Sequence, residues 1–352
     1  MIVIRADANR EIGSGHVMRC LAIADALKRE GQQVCFLTAD ESAAGLLRAR
    51  GQEFRILYTD YRCMEAELEK LEALFAREQG DFFLADSYFV TPEYFNRVRE
   101  HLPVGCLDDK CRRDLPVDLL INYNIFAEAP LYEGACASEL LLGTRYAPLR
   151  AEFAESHRQI REQAFRVLIT TGGSDRYDLA GQILRKGLAY PGTAKLEYCV
   201  VSGAYNVHLE GLRALAGEYP NVKIYSNVSN MRDLMEDSDI AVTAGGSTMY
   251  ELSAVGVPMV CFSFVDNQER IVEGFVKKGL VSFGGNYLLQ GGAMAAEVVE
   301  NIALLARDRA LREEYGRRLK AVTDGRGAAR IARRIALRIA ARTDELRGTD
   351  ER

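Results

Sequence analysis

The residues best suited to chemistry lie near the start of the chain, in the stretch Gly13-Ser14-Gly15-His16. An apolar run over residues 1–4 predicts a buried strand before this stretch, and apolar residues at helical spacing predict a helix after it. A turn between a strand and a helix offers free backbone N–H groups at the positive end of the helix dipole. Histidine exchanges a proton near neutral pH, and this helix end favours its neutral form. We therefore expect His16 to face a binding cleft as a general base, with Asp7 placed to orient it or a water.

Two other interpretations of the same turn stay open. A dinucleotide-binding fingerprint would need glycine or alanine where this chain has Met18, so a nicotinamide dehydrogenase is disfavoured. The turn could also be structural only, with His16 capping its own helix. The remaining three histidines lie in helical or linker stretches that are typical of surface residues: His101, His157 and His208.

Two further glycine-rich turns follow predicted strands in the second half of the chain, at Gly172-Gly173-Ser174 and Gly245-Gly246-Ser247. Consecutive glycines present backbone N–H groups with no Cβ to block a phosphate. Neither turn matches the P-loop pattern, which disfavours a P-loop nucleoside triphosphatase. We expect a phosphate site here, with Glu251 about one turn into the next helix accepting the ribose hydroxyls. The alternative for Glu251 is a first-turn glutamate that complements the helix dipole.

Polar side chains also stand at other predicted strand ends. Asn267 and Gln268 carry amides that could bind hydroxyl or acetamido groups, or could cap the next helix. Asp86-Ser87-Tyr88 and Asp108-Asp109 could line the sugar side of a cleft, with Tyr88 donating a hydrogen bond. Asp237-Ser238-Asp239 matches the D-x-D string of metal-using glycosyltransferases, but it precedes its strand and so lies at the wrong end of the sheet. We therefore predict no metal site.

The elements that must position these residues alternate between strand and helix along the chain. This alternation predicts parallel sheets with helices on both faces. The irregular, charged stretch 147–164 predicts a linker between two such domains. Ligands bind outside the carboxyl ends of the strands in open α/β sheets, and all three glycine-rich turns stand at such ends. Two domains with those ends facing each other would enclose one cleft.

Length and composition agree with this organisation and exclude other classes. The 352 residues are enough for two domains, and the net charge of −5 gives no support to nucleic-acid binding. No apolar run approaches a membrane span, and the first residues predict a strand rather than a signal peptide. The eight cysteines lie mostly in apolar patterns without a C-x-x-C pair. We expect a cytoplasmic protein, monomeric by default, that binds a small molecule and needs no cofactor.

Several of these segments together resemble the nucleotide-sugar hydrolases of pseudaminic acid biosynthesis, in order and in spacing. The segments are Arg5-Ala6-Asp7-Ala8-Asn9, Ile12 to Cys20, Asp86-Ser87-Tyr88, Asp108-Asp109, Thr171 to Asp175, Gly246 to Glu251 and Asn267-Gln268-Glu269. The match covers roughly residues 2–279, and residues 284–352 extend beyond the shortest members of the family. The N-terminal motif is specific, whereas the Gly-Gly turns are shared with many glycosyltransferases.

The resemblance implies a GT-B-like fold of two doubly wound, Rossmann-like domains facing across a cleft. Residues 1–155 would form the domain with the catalytic histidine, and residues 156–327 would form the UDP-binding domain. A C-terminal helix over residues 328–347 would pack back on the first domain.

The resemblance also implies a reaction: UDP-2,4-diacetamido-2,4,6-trideoxy-β-L-altrose and water give the free sugar and UDP, with inversion and without a metal. His16 would be the base, and Tyr88 and Asp7 would assist it near the reacting sugar. The expected substrate-binding residues are Gly13, Ser14, Gly15, Asp86, Asp108, Asp109, Gly172, Gly173, Ser174, Asp175, Gly246, Ser247, Thr248, Met249, Glu251, Asn267 and Gln268. Three alternatives remain: a glycosyltransferase of the same fold that uses a UDP-N-acetylhexosamine donor, a UDP-sugar binding module without catalysis, and a hydrolase for a related sugar such as a spore-coat intermediate.

Overall fold

The computed structural model describes residues 1–203, 205–226 and 228–350, without the side chains of residues 343–350. The chain divides into two compact units. The first unit contains Met1–Ala151 and the C-terminal segment that begins at Arg326, and the second contains Glu152–Gly325.

The first unit is built on a seven-stranded parallel sheet with the order β3-β2-β1-β4-β5-β6-β7. Its strands are β1 (Ile2–Ala6), β2 (Val34–Thr38), β3 (Glu53–Ile56), β4 (Phe82–Asp86), β5 (Val104–Leu107), β6 (Leu119–Asn122) and β7 (Leu140–Leu142). The strand order reverses between β1 and β4, where open α/β sheets bind their ligands. This places the segment after β1 at the topological switch point.

Four helices of the first unit follow its strands: α1 (Gly15–Arg29), α2 (Ala44–Ala49), α3 (Leu68–Arg77) and α4 (Pro92–Arg99). Side chains alternate between the two faces of each strand. Val3 and Phe83 therefore share one face, where they pack in a core with Leu71 of α3 and Tyr94 of α4. Helix α1 packs against β1 and β2 and buries one apolar side, so each face of the sheet is covered.

The second unit repeats the same winding in a six-stranded parallel sheet with the order β10-β9-β8-β11-β12-β13. Its strands are β8 (Arg166–Thr170), β9 (Glu197–Ser202), β10 (Val222–Ser226), β11 (Ile240–Ala244), β12 (Met259–Ser263) and β13 (Ser282–Asn286). The predicted fold class, two doubly wound parallel sheets, is confirmed by the two strand orders.

The described residues of the second unit form eight helices: α5 (Leu179–Ala189), α6 (Leu209–Glu218), α7 (Met231–Glu236), α8 (Ser247–Val255), α9 (Asp266–Lys277), α10 (Tyr287–Gln290), α11 (Met294–Arg307) and α12 (Arg309–Lys320). The segment Tyr287–Arg307 is long and apolar enough to cross a membrane by length and composition alone. In the structure, α11 buries its apolar side in the core of the second unit, against Val260 and Phe262 of β12 among others. The apolar character of this segment is thus used in packing.

The last helix, α13 (Gly327–Asp350), packs against α1 in the first unit. Ile331 and Ile335 are completely buried there, one helical turn apart. Arg334 and Arg338 of the same helix both form ion pairs with Glu139. The C-terminal helix is therefore amphipathic, with an apolar side buried in the first unit and arginines on the other side.

The structure adds two strands that the sequence pattern does not predict. Strand β7 has only three residues, and β13 contains Gly284 and Gly285, which lower its strand propensity. In both cases, pairing with a buried neighbouring strand stabilises a strand that the local sequence does not favour. Helix α3 is preceded by a 3₁₀ turn over Met64–Glu67.

Candidate active site

The loop between β1 and α1 is closed by its own polar groups. Asn9 and Gly13 exchange backbone hydrogen bonds, and the side-chain Oδ1 of Asn9 accepts from the N–H groups of Glu11 and Ile12 at 2.9 and 3.0 Å. Gly13 has a φ of +72°, which strains any residue with a Cβ. A Cβ at Gly13 would find no atom within 4 Å, so glycine is needed here for conformation and not for space.

The start of α1 is left open by this loop. Ser14 is the N-cap residue, yet within the described part of the chain no side chain caps this end. The first turn of α1 also lacks an acidic residue. The backbone N–H groups of Gly15 and His16 thus lie at the positive end of the helix dipole, where an anionic or polar ligand is stabilised.

His16 is buried in the first turn of α1, with 6% of its surface exposed. Its ring meets the ring of Tyr88 edge to face, with centroids 4.6 Å apart. No residue in the described ranges forms a hydrogen bond with the imidazole. Burial lowers the pKa of His16 below its ordinary value, Asp86 raises it and Arg19 lowers it further. The imidazole is therefore neutral at pH 7 and can accept a proton.

Arg19 lies one helical turn after His16 and organises the carboxylates around it. Its Nε and Nη2 donate to the two oxygens of Asp86 at 2.6 and 2.5 Å. Its Nη1 donates to Asp109 at 2.9 Å and to the hydroxyl of Tyr123 at 2.9 Å. Asp86 and Asp109, which we expected on the substrate, are held as partners of Arg19.

Tyr88 is held on three sides within the same group of residues. Its hydroxyl donates to Oδ2 of Asp109 over 3.4 Å, and the ammonium group of Lys110 lies 4.8 Å above its ring. The third contact is the edge-to-face packing with His16. The structure thus brings Tyr88 to His16, and a contact of Tyr88 with the reacting sugar stays a prediction.

Asp108 stands directly after the end of β5, as predicted, but its side chain is engaged within the first unit. Its carboxylate accepts from the N–H groups of Lys110 and Arg112 at 2.8 and 2.9 Å and from the hydroxyl of Tyr132 at 2.6 Å. The side chain is buried and shapes the turn after β5. The expectation that Asp108 contacts the substrate is not supported, because its oxygens are already engaged within the first unit.

Asp7 is also engaged away from His16. One oxygen accepts from Nη1 of the completely buried Arg5 at 2.5 Å, and the other accepts from the N–H of Ala39 at 2.7 Å. Arg5 in turn donates through Nε to Glu67 at 2.9 Å. Asp7 therefore acts on His16 only as a nearby negative charge, and the expectation that it orients the ring does not fit these contacts.

The first glycine turn of the second unit does not lead directly into a helix. Strand β8 ends at Thr170, and α5 begins only at Leu179. Asp175, which is 1% exposed, accepts from the N–H groups of Leu179 and Ala180 at 2.7 and 2.8 Å. The carboxylate thus occupies the positive end of α5 and competes with any phosphate there. Asp175 is a helix cap in this structure, while Gly172, Gly173 and Ser174 form the loop before it.

The second glycine turn joins β11 to α8 directly, because β11 ends at Ala244 and α8 begins at Ser247. Gly246 is the N-cap residue, and no side chain among the described residues caps this helix. A Cβ at Gly245 would come within 2.8 Å of the side chains of Gln268 and Val272. Glycine is therefore required at position 245 for the close approach of α9. Of the two glycine turns, this one has the open helix start that suits a phosphate.

The expected ligand contacts around α8 and α9 fall into two groups. Ser247, Thr248 and Glu251 are partly exposed on the first turns of α8, whereas the side chain of Met249 is completely buried in the core. Asn267 is exposed in the first turn of α9. The side-chain oxygen of Gln268 accepts from the N–H of Phe264 at 3.0 Å, so Gln268 ties the segment before α9 to its first turn. The side chains of Met249 and Gln268 thus have structural partners, and their expected substrate contacts stay predictions.

The D-x-D string is structural as well. Asp239 accepts from the N–H groups of Phe165 and Arg166 at 2.8 and 2.9 Å, at the amino end of the sheet. Across the ranges that the structure describes, no group of three or more His, Cys, Asp or Glu side chains could hold a metal ion.

Several residues that build the site were missed by the sequence analysis. A local signal exists for Arg19, because residues three apart on a helix share a face and His16 precedes it by three. Arg5, Glu67, Tyr123 and Asn124 had no such signal, since each meets its partners only after the sheet has formed.

Comparison with known proteins gives distant relatives. No protein-family model matches the chain. The UDP-2,4-diacetamido-2,4,6-trideoxy-β-L-altropyranose hydrolase of Campylobacter jejuni is 24% identical over 282 residues, which cover 79% of this chain and 97% of the hydrolase. The spore coat polysaccharide biosynthesis protein SpsG of Bacillus subtilis is 23% identical over 288 residues, covering 78% of this chain and 81% of SpsG.

Solved structures match over nearly the whole chain. The crystal structure of MurG from Acinetobacter baumannii has a TM-score of 0.66 at 15% identity and covers 95% of this chain and 99% of its own. The glycotransferase of kitacinnamycin has a TM-score of 0.65 at 17% identity, with 96% and 98% covered. Together with the two parallel sheets, these matches show that the chain has a GT-B-like fold of two Rossmann-like domains.

Proposed function

We propose that this protein is a nucleotide-sugar hydrolase that cleaves UDP from UDP-2,4-diacetamido-2,4,6-trideoxy-β-L-altrose. One observation carries the proposal: His16 is buried and without a hydrogen-bond partner among the described residues, at the open start of α1, and burial lowers its pKa. A neutral imidazole in this position has the properties of a general base for water. The similarity to the Campylobacter jejuni hydrolase supports the choice of substrate class.

The proposed reaction is a single inverting displacement. The water oxygen forms a bond to the anomeric carbon while the bond from that carbon to the diphosphate oxygen breaks. One proton of the water goes to His16, and the electron pair of the broken bond leaves with UDP. Tyr88 packs against the base, and we propose that it contacts the reacting sugar.

For the second unit we propose that the open start of α8 binds the diphosphate. Gly246, Ser247 and Thr248 would present backbone N–H groups to the phosphate oxygens, and Glu251 would accept the ribose hydroxyls. Helix N-termini stabilise the negative charge that develops on a leaving phosphate, so this chemistry is available without a metal. We further propose that Asn267 contributes to binding, and that the enzyme works in the cytoplasm as a monomer.

The decisive experiment follows the NMR spectrum of the candidate UDP-sugar incubated with the purified protein and EDTA, without an acceptor. We expect loss of the coupling between the anomeric proton and phosphorus as UDP and free sugar form. His16→Asn should slow this conversion by about 10²- to 10⁴-fold while UDP still binds, because only general-base assistance is removed. The matched control is His101→Asn in the same unit, which should keep the wild-type rate since His101 is exposed.

A second candidate function is a glycosyltransferase with a UDP-N-acetylhexosamine donor, since the fold is also similar to that of the glycotransferase of kitacinnamycin. The same experiment separates the two functions. Release of UDP only after an acceptor is added would replace the hydrolase by a transferase. Full hydrolysis by the His16→Asn variant would remove His16 as the base.

A further inference from the structure

We infer that Arg19 is a positioning residue for the pair of His16 and Tyr88, and that it acts through Asp109. The inference deepens the proposed function, and its kinetic test rests on that function. Its structural test does not, because the arrangement of His16 and Tyr88 can be measured without a substrate.

The guanidinium of Arg19 is fixed to the sheet before it reaches the other residues. Its paired hydrogen bonds to Asp86 use both carboxylate oxygens, and a planar fork of this kind sets the orientation of the whole group. Asp86 is the last residue of β4 and is 1% exposed. Nη1 is consequently held at one place, where it donates to both oxygens of Asp109.

Asp109 carries this constraint to Tyr88. Arg19 and the amide of Asn124 fix its carboxylate, with 2.8 Å between the Asn124 nitrogen and Oδ1. Oδ2 then accepts from the hydroxyl of Tyr88 over 3.4 Å, a long contact that orients the phenol more than it binds it. The ring of Tyr88 in turn packs against His16. Arg19, Asp109, Tyr88 and His16 thus form a continuous series of contacts.

Arg19 and Asp109, the first two members of this series, have opposite electrostatic effects on the pKa of His16. Arg19 lowers the pKa of His16 from its own helix, while Asp86 from the end of β4, Asp109 from the loop after β5 and Asp7 from the loop after β1 raise it. Lys110 approaches only through the ring of Tyr88. Removing the charge of Arg19 should therefore raise the pKa of His16, and removing the charge of Asp109 should lower it.

The test compares Arg19→Gln and Asp109→Asn with a matched control, Arg312→Gln. Arg312 is another buried arginine, which donates to main-chain oxygens of the second unit such as those of Leu305 and Arg161. Three quantities are measured: the titration of the His16 imidazole by NMR, the nuclear Overhauser effect between the His16 and Tyr88 rings, and kcat and KM across pH. The His16 signal is identified by its absence in His16→Asn.

We expect both site variants to lose the Overhauser effect and to lower kcat by about 10- to 100-fold with little change in KM. Activity needs neutral His16, so the acid limb of the rate profile should move to higher pH in Arg19→Gln and to lower pH in Asp109→Asn. Arg19→Lys should restore the wild-type position of that limb, since it keeps the positive charge, but not the full kcat. Arg312→Gln should change none of these quantities except thermal stability.

The inference is overturned if the Overhauser effect persists in both site variants, or if the titration of His16 moves in the same direction in both. If Arg19→Gln does not fold, the isosteric Asp109→Asn decides alone. If the wild-type protein hydrolyses no UDP-sugar, the proposed function fails, while the titration and the ring contact still decide the role of Arg19.

Discussion

At the scale of single residues, the site depends on burial as much as on residue type. His16 is neutral because it is buried, although three aspartates near it favour the charged form. Those aspartates do not act as free charges, because Arg19 and Arg5 neutralise them. The two arginines therefore allow a nearly neutral imidazole to persist beside several carboxylates.

The lowered pKa of His16 has a consequence for stability. The folded state holds the imidazole neutral, whereas the unfolded chain protonates it near its ordinary value of 6.5. Stability from this group is thus fully present above pH 6.5 and is lost as the pH falls from there through the folded-state pKa. We expect the free energy of unfolding of the wild type to fall over this range, and that of His16→Asn to fall less steeply. Urea unfolding at a series of pH values measures both slopes, and parallel slopes would contradict the prediction.

Residue-level predictions from the sequence succeeded where a local pattern was sufficient. The turn, the helix and the position of His16 follow from residue spacing alone, and Tyr88 does lie beside His16. The roles of Asp7 and Asp108 could not be predicted, because their partners come from distant strands and loops. A carboxylate at a strand end has the same sequence pattern whether it binds a substrate, an arginine or the backbone.

At the scale of elements, the two glycine turns of the second unit show how the same local sequence gives different helix starts. The turn at Gly172-Gly173-Ser174 is followed by Asp175, whose carboxylate satisfies the first N–H groups of α5. The turn at Gly245-Gly246-Ser247 has no such residue, and α8 begins at once. The sequence predicts a phosphate site at both turns, because the residue pattern alone does not show where each helix begins.

Substitutions in the second turn should separate backbone strain from packing. Gly246 has a φ of +154°, and a Cβ there would meet nothing within 4 Å. Gly246→Ala should therefore destabilise through strain alone, by about 1–3 kcal/mol. Gly245→Ala should cost more, because its Cβ would collide with two side chains of α9. Denaturant unfolding measures the free energy of unfolding of both variants. Calorimetry measures the affinity of Gly246→Ala for UDP, and an affinity equal to that of the wild type would contradict the proposed diphosphate site.

At the scale of the whole molecule, each unit repeats one winding of strands and helices. The sequence predicted this fold class because strand and helix patterns alternate through both halves. It did not predict the edge strands β7 and β13, whose short or glycine-containing sequences become strands only by pairing with a buried neighbour. The apolar side of the C-terminal helix follows from isoleucines spaced four residues apart, such as Ile331 and Ile335.

The packing of α13 on the first unit gives a direct stability test. Ile335 is completely buried, while Leu337 on the same helix is 51% exposed. Ile335→Ala should lower the free energy of unfolding by about 2–5 kcal/mol, as expected for a large side chain removed from a core. Leu337→Ala should change it by less than about 0.5 kcal/mol. Thermal unfolding of the two variants measures the difference, and equal melting temperatures would show that α13 contributes no packing.

The contact between α13 and α1 also sets an order of events during protein synthesis. Helix α1 leaves the ribosome early, but its covering helix is translated only after the whole of the second unit. Elongation proceeds at about 5–20 residues per second, so the side of α1 that faces α13 waits for about 15–60 seconds before it is covered. The nascent first unit therefore presents a temporary binding surface for chaperones, which is removed only when translation of this chain reaches its last helix.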